Sequence, residues 1–253
     1  MDRNSAIGIF DSGVGGVSVL RDAVRLMPHE RFLYYGDNLN APYGTKSEDT
    51  IRTLATHVAD VLLSCGVKAL VIACNTATSA AAASLRATLS IPVVGMEPAL
   101  KPASQLWRGG RILVLTTPAT LRQNKFQLLN EKYGEHAVVQ PCAGLMEFVE
   151  AGELGGERLM AYLKDALADY ANTQVDAVVL GCTHYVFLKR ALGELLPGVP
   201  LIDGNEGTAR RLEYLLAQGD MLRQEGEGSV RFMTSGDEAV FIPLMEKLYR
   251  IPV

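Results

Sequence analysis

The chain has 253 residues, 48% of them hydrophobic and 21% charged, with a formal net charge of −4. That allows one or two domains with a sizeable core, and the lack of a basic stripe argues against nucleic acid as a partner. No apolar run reaches the ~18–20 residues that cross a bilayer, so no membrane is expected either.

The N-terminal MDRNSAIGIF enters a strand-like run at once. It leaves no room for a signal peptide, and the cytoplasm is the expected location. That first run, Ala6–Phe10, leads into DSGVGG at residues 11–16 and then a helix-like Val17–Met27. Three glycines permit a tight turn, and the N–H groups of a following helix start favour an anion. The stretch lacks the lysine of a phosphate loop and is not a dinucleotide fingerprint. Alone it fits a structural turn as well as a binding loop; Asp11 and Ser12 at the strand end favour function.

Phe32–Tyr35 is the next strand-like run, followed by APYG at 41–44. Tyr43 there could close over a ligand, although a plain turn is the simpler reading. After the helix-like Asp49–Ser64 comes Ala69–Ala73, continuously apolar as in strands buried on both faces. Cys74 follows directly, and Thr76–Leu89 reads as a helix. A thiol at a helix start sits at the positive end of the dipole, which lowers its pKa from ~8.5. Asn75 and Thr76 are candidates to cap that helix and to donate to a carboxylate. A short run at Val93–Val94 closes this part.

The pattern then restarts with strand-like Ile112–Leu115, Val138–Val139, Ala177–Leu180 and Leu201–Ile202, and a helix-like Glu157–Ala171. VKALVIACNTATS from Val67 aligns with VDAVVLGCTHYVF from Val175, so Cys182 repeats the placement of Cys74. Each cysteine is followed 18 residues later by a proline, Pro92 and Pro200. AIGIFDS also matches RILVLTT, which ends at Thr117. The alternation and the repeat predict two similar, doubly wound, mainly parallel α/β halves. Ligand loops in such sheets gather beyond the carboxyl ends of the strands. That rule brings together Asp11–Gly16, Cys74–Thr76, Thr116–Thr120 and Cys182–His184.

Cys65 and Cys142 lack this setting and read as structural. No CxxC pair or zinc spacing is present, so no metal is expected. No nicotinamide fingerprint or clear pyridoxal site is seen, so no cofactor is expected. His184, two residues after Cys182, can act as acid or base near neutral pH; a partly buried, satisfied histidine is the ordinary alternative. Glu150, in FVEAGEL, reads by itself as a surface carboxylate. Two thiols in matching places suit inversion at carbon, which takes a proton from one face and returns one to the other.

IGIFDSGVGG, APYG, ACNTAT, LTTPAT, FVEAG, GCTHY, LIDGNE and TSGD occur in this order along essentially the whole chain. Together they closely resemble the glutamate racemase family (aspartate/glutamate racemases) of bacterial cell-wall metabolism. The resemblance implies interconversion of L- and D-glutamate without a cofactor, supplying D-glutamate for peptidoglycan. It implies that Cys74 acts on the D-isomer and Cys182 on the L-isomer, with Asp11 assisting Cys74, His184 assisting Cys182, and Glu150 as a further acidic residue. Asp11, Ser12, Tyr43, Gly44, Asn75, Thr76, Thr183 and His184 would hold the substrate. It further implies two α/β domains with pseudo-twofold symmetry: residues 1–97 plus 204–253, carrying Asp11 and Cys74, and residues 98–203, carrying Glu150, Cys182 and His184. A homodimer is compatible with the family. Where the family commonly reads ATxxT, this chain has Thr116-Thr117-Pro118-Ala119-Thr120, so no role is carried to Thr117. Three other readings stay open at this point: a related racemase acting on aspartate, a small-molecule binding protein with structural cysteines, and a thiol redox protein, which the lack of CxxC disfavours.

Overall fold

A computed structural model describes residues 2–251. In chain order the first elements are β1 (Ile7–Asp11), α1 (Val17–Leu26), β2 (Arg31–Gly36), α2 (Glu48–Ser64), β3 (Ala69–Ile72), α3 (Asn75–Thr88), β4 (Val93–Gly95) and α4 (Leu100–Ser104). Then follow β5 (Arg111–Thr116), α5 (Pro118–Arg122), α6 (Asn124–Tyr133), β6 (Ala137–Pro141), α7 (Leu145–Glu150), α8 (Glu157–Ala166), β7 (Val175–Leu180), α9 (Lys189–Leu195) and β8 (Leu201–Ile202). The chain closes with α10 (Asn205–Gln218), β9 (Ser229–Thr234) and α11 (Glu238–Arg250). Residues 2–96 with 205–251 form one compact unit, and residues 97–204 form another.

The first unit holds a parallel sheet in the order β4-β3-β1-β2-β9, and the second holds one in the order β6-β5-β7-β8. Read from the other edge, the second is β8-β7-β5-β6, the same path as β4-β3-β1-β2. The strand that precedes each cysteine ends at Ile72 in one unit and at Leu180 in the other. The internal repeat seen in the sequence is thus a repeat of topology.

Parallel strands need both faces covered. In β1 and β3 every residue is buried. Phe10, Leu70 and Ile72 pack into a cluster with Ile51, Ala55, Val58 and Leu62 of α2 and Ala77, Ala81 and Leu85 of α3. The alternate residues Ile7, Ile9 and Val71 point to the opposite face, the side on which α1 packs with α10 and α11. In the second unit Ile112, Val114, Ala177 and Val179 share a cluster with Leu100 and Ala103 of α4 and Phe126 of α6.

Two expectations change. The helix-like Glu157–Ala171 is α8 only as far as Ala166, followed by a separate 3-10 turn at Ala168–Tyr170. Strand β9 was not foreseen. It lies at the sheet edge with only half-buried or exposed residues, so it lacks the apolar signature that marks the central strands. Among the described residues no helix is long and apolar enough to cross a membrane.

Candidate active site: a thiol loop in each unit

In the first unit, β1 and β3 run side by side, with Phe10 opposite Ile72. The ladder continues one step further, Ala73 N–H donating to the Phe10 carbonyl at 2.7 Å. Asp11 and Cys74 therefore leave the sheet as neighbours. Cys74 is extended and is itself the cap of α3: its Sγ accepts the Ala77 N–H at 3.4 Å. The expectation that Asn75 or Thr76 caps this helix is corrected, because both lie inside its first turn and are buried. A sulfur at that place meets the positive end of a 14-residue helix.

Ser12 stands between thiol and carboxylate. Cys74 Sγ donates to Ser12 Oγ at 3.8 Å, and Ser12 Oγ donates to Asp11 Oδ1 at 3.0 Å. Gly13 N–H also donates to Asp11 Oδ1, at 3.3 Å. Gly16 is needed for this closeness. A Cβ there would lie 2.8 Å from Asp11 Cβ and 2.9 Å from Ala73 Cβ.

APYG is more than a plain turn. Tyr43 is buried in a 3-10 turn, Tyr43–Thr45, with Gly44 half-buried beside it. The Tyr43 hydroxyl donates to Asp37 Oδ2 at 2.6 Å. Burial foremost, then the hydrogen bond and charge of Asp37, then the charges of Cys74 and Asp11 hold this phenol far above its ordinary pKa. Tyr43 is therefore a permanent donor within the electrostatic reach of both Cys74 and Asp11. Sequence reading missed Asp37, which follows β2 just as Ser12 follows β1; position after a strand end was the available signal.

In the second unit the thiol has a different setting. Gly181 N–H donates to the Leu115 carbonyl at 2.7 Å, and Cys182 then enters a six-residue 3-10 turn, Thr183–Leu188. The α-helix start expected here is absent, since α9 begins only at Lys189. No side-chain cap bond forms at Cys182. Instead its Sγ lies 3.6 Å from His184 Nδ1, and His184 Nε2 lies 2.7 Å from Glu150 Oε1. Glu150 ends α7, which packs against the Thr183–Leu188 turn. Burial disfavours a charge on His184, but the Cys182 hydrogen bond and charge, and then those of Glu150, outweigh it and hold the imidazole pKa well above its usual value. As imidazolium the ring donates from both nitrogens, to the Cys182 sulfur on one side and the Glu150 carboxylate on the other. Thr183 is buried next to this pair.

Thr117, left without a role, caps α5: its Oγ1 accepts the Thr120 N–H at 3.2 Å. Cys65 is an exposed residue at the end of α2. Cys142 is buried, and desolvation foremost, with the Cys182 charge, pushes its thiol up to about 12. Among the described residues no group of three or more His, Cys, Asp or Glu is placed to hold a metal ion.

Fold and site define a class: a two-unit parallel α/β protein with a cysteine leaving the same strand end in each unit. Residues 10–212 match the family model for Asp/Glu/Hydantoin racemase. A glutamate racemase of Clostridium acetobutylicum is 46% identical over 250 residues, 97% of this chain and 98% of the relative. The crystal structure of glutamate racemase from Thermus thermophilus in complex with β-chloro-D-alanine aligns with a TM-score of 0.82 at 38% identity, covering 98% of this chain and 94% of that one. Francisella tularensis glutamate racemase, in complex with D-glutamate, aligns with a TM-score of 0.83 at 29% identity over 99% and 95% of the two chains. The chain belongs to the Asp/Glu/Hydantoin racemase family and is a racemase.

Proposed function

We propose that the protein interconverts L- and D-glutamate without a cofactor, with Cys182 and Cys74 as the two bases. The observation that carries this reading is the repeated thiol with unequal partners: His184 and Glu150 at Cys182, Ser12 and Asp11 at Cys74. The full-length identity to a glutamate racemase supports glutamate as substrate, as does the D-glutamate complex of a structural relative.

Going from L to D, the Cys182 thiolate removes the α-proton while Cys74 delivers its own proton to the other face of the carbon. Cys182 ends as thiol and Cys74 as thiolate; exchange with solvent resets the pair. His184, held as imidazolium between Cys182 and Glu150, faces the Cys182 sulfur through Nδ1 and so pairs this thiol with the L-isomer. In the reverse direction Cys74, seated at the start of α3, is the base; going from L to D, Ser12 and Asp11 orient the proton that its thiol delivers. The carbanion carries most of the barrier, and preorganised donors lower it. Asn75, Thr76 and Thr183, with the backbone around Tyr43 and Gly44, supply those donors to the substrate carboxylates. We assign the reaction to the cytoplasm, where a reducing poise keeps thiols free, and to D-glutamate supply for peptidoglycan.

The test is circular dichroism of L-glutamate, and separately L-aspartate, incubated with purified protein and no added cofactor. Glutamate loses its optical signal and aspartate keeps it. Faster loss with aspartate would transfer the assignment to that substrate.

A further inference from the structure

Asp37 is 2% exposed, and the hydrogen-bond partners of its carboxylate are neutral side chains. Tyr43 Oη donates to Oδ2 at 2.6 Å, Ser235 Oγ donates to Oδ1 at 2.6 Å, and Asn40 Nδ2 reaches the two oxygens at 3.0 and 3.1 Å. Burying a carboxylate is costly unless its lone pairs are used, and here they are. Ser235 belongs to the late TSGD stretch, just after β9, nearly 200 residues from Asp37.

The turn carrying Ser235 is tied to the segment after β2 at further points. Ser235 N–H donates to the Gly36 carbonyl at 3.1 Å, Leu39 N–H donates to Ser235 Oγ at 3.1 Å, and Thr234 Oγ1 donates to Asn38 Oδ1 at 2.8 Å. Gly236 seats the turn: a Cβ there would come within 2.7 Å of the Phe241 ring and 3.2 Å of Asn38 Cβ. Strand β9 contributes little buried apolar surface. What it delivers is this turn.

We infer that Asp37 is a positioning residue for the substrate site: braced by Ser235 and Asn40, it holds the Tyr43 hydroxyl and thereby fixes the Tyr43–Gly44 segment beside Cys74 and Asp11. The inference rests on the glutamate reading proposed above. The brace sets geometry and moves no proton, since the Tyr43 proton is committed to Asp37. The same segment meets either enantiomer. Loosening it therefore weakens binding of both isomers, whereas loss of a proton-transfer group lowers turnover.

The experiment is steady-state kinetics in both directions for Asp37→Ala, Asp37→Asn, Ser235→Ala, Tyr43→Phe and their pairs. Asp37→Ala should raise KM for both enantiomers about tenfold while kcat changes by less than about threefold. Asp37→Asn keeps an acceptor for Tyr43 and should restore most of that loss. The pair Asp37→Ala/Tyr43→Phe should be no worse than Asp37→Ala, because both delete one link. An unchanged KM, multiplying effects in that pair, or a loss confined to kcat in one direction would overturn the inference. Thermal unfolding of the Ser235→Ala/Tyr43→Phe cycle gives a second reading. The two sites should be coupled through Asp37, and strict additivity contradicts the brace. Wild-type protein that turns over no glutamate would sink the functional reading and leave the unfolding cycle to decide the brace.

Discussion

His184 joins Cys182 to Glu150 through one buried ring, with Nδ1 3.6 Å from the thiol sulfur and Nε2 2.7 Å from the carboxylate oxygen. This link gives the proposed L-isomer base a charged partner. The His184 imidazole pKa is raised, so activity from L-glutamate should fall at high pH as the imidazolium loses its proton. Glu150→Gln removes an anion that favours the cation, so the fall should move to lower pH. The pH profile of kcat/KM for L-glutamate checks this; a profile unmoved by Glu150→Gln counts against the link.

The same shift has a stability consequence. A histidine with a folded-state pKa above its unfolded value of ~6.5 stabilises the fold fully below that pH, and the contribution is lost as pH rises through the folded value. His184→Asn should therefore cost more stability at mildly acid pH than at high pH. Urea unfolding at two pH values measures the difference, and an equal cost at both would refute it.

Gly16→Ala places a methyl against Asp11 and Ala73. Both contacts are to atoms fixed by strand ends, so they yield poorly. Overpacking of this kind costs about 1–3 kcal/mol, and here it should also separate Asp11 from Ser12 and Cys74. Thermal unfolding together with racemisation rate reads both effects. Unchanged activity in a stable variant would show that this closeness is dispensable.

At the end of β3 away from Cys74, Lys68 and Glu30 form a fully buried ion pair at 2.7 Å, and the Lys68 ammonium also donates to the Arg3 and Met221 carbonyls. Lys68→Met strands the carboxylate and should destabilise by about 3–5 kcal/mol. Adding Glu30→Leu should recover much of that. Chemical denaturation of the three variants tests it, and a double variant no better than Lys68→Met would contradict the stranded-charge explanation.

Much of this was legible in the sequence because the signal was apolar and local. Continuous runs such as Ala69–Ala73 marked the buried strands, and the repeated Cys-to-Pro spacing marked two equivalent halves. Strand β9 escaped because an edge strand needs no continuous apolar run. The 3-10 turn after Cys182 escaped because the repeat pattern gives strand, cysteine and connection but not the pitch of the connection. Asp37 and Ser235 escaped because their link spans most of the chain and rests on hydrogen bonds, which leave no periodicity. The pairing of Ser12 with both Cys74 and Asp11 depends on rotamers that no spacing encodes.

The central claim is that Cys182 and Cys74 each handle one proton. L-glutamate incubated in D2O without any cofactor tests it most directly, with mass spectrometry of each enantiomer at early times. The two-thiol account predicts D-glutamate that carries an α-deuterium while recovered L-glutamate remains largely protiated, and it predicts that Cys74→Ser or Cys182→Ser abolishes formation of the D-isomer. Absence of α-deuterium from both isomers, or racemisation that persists in either serine variant, would contradict it.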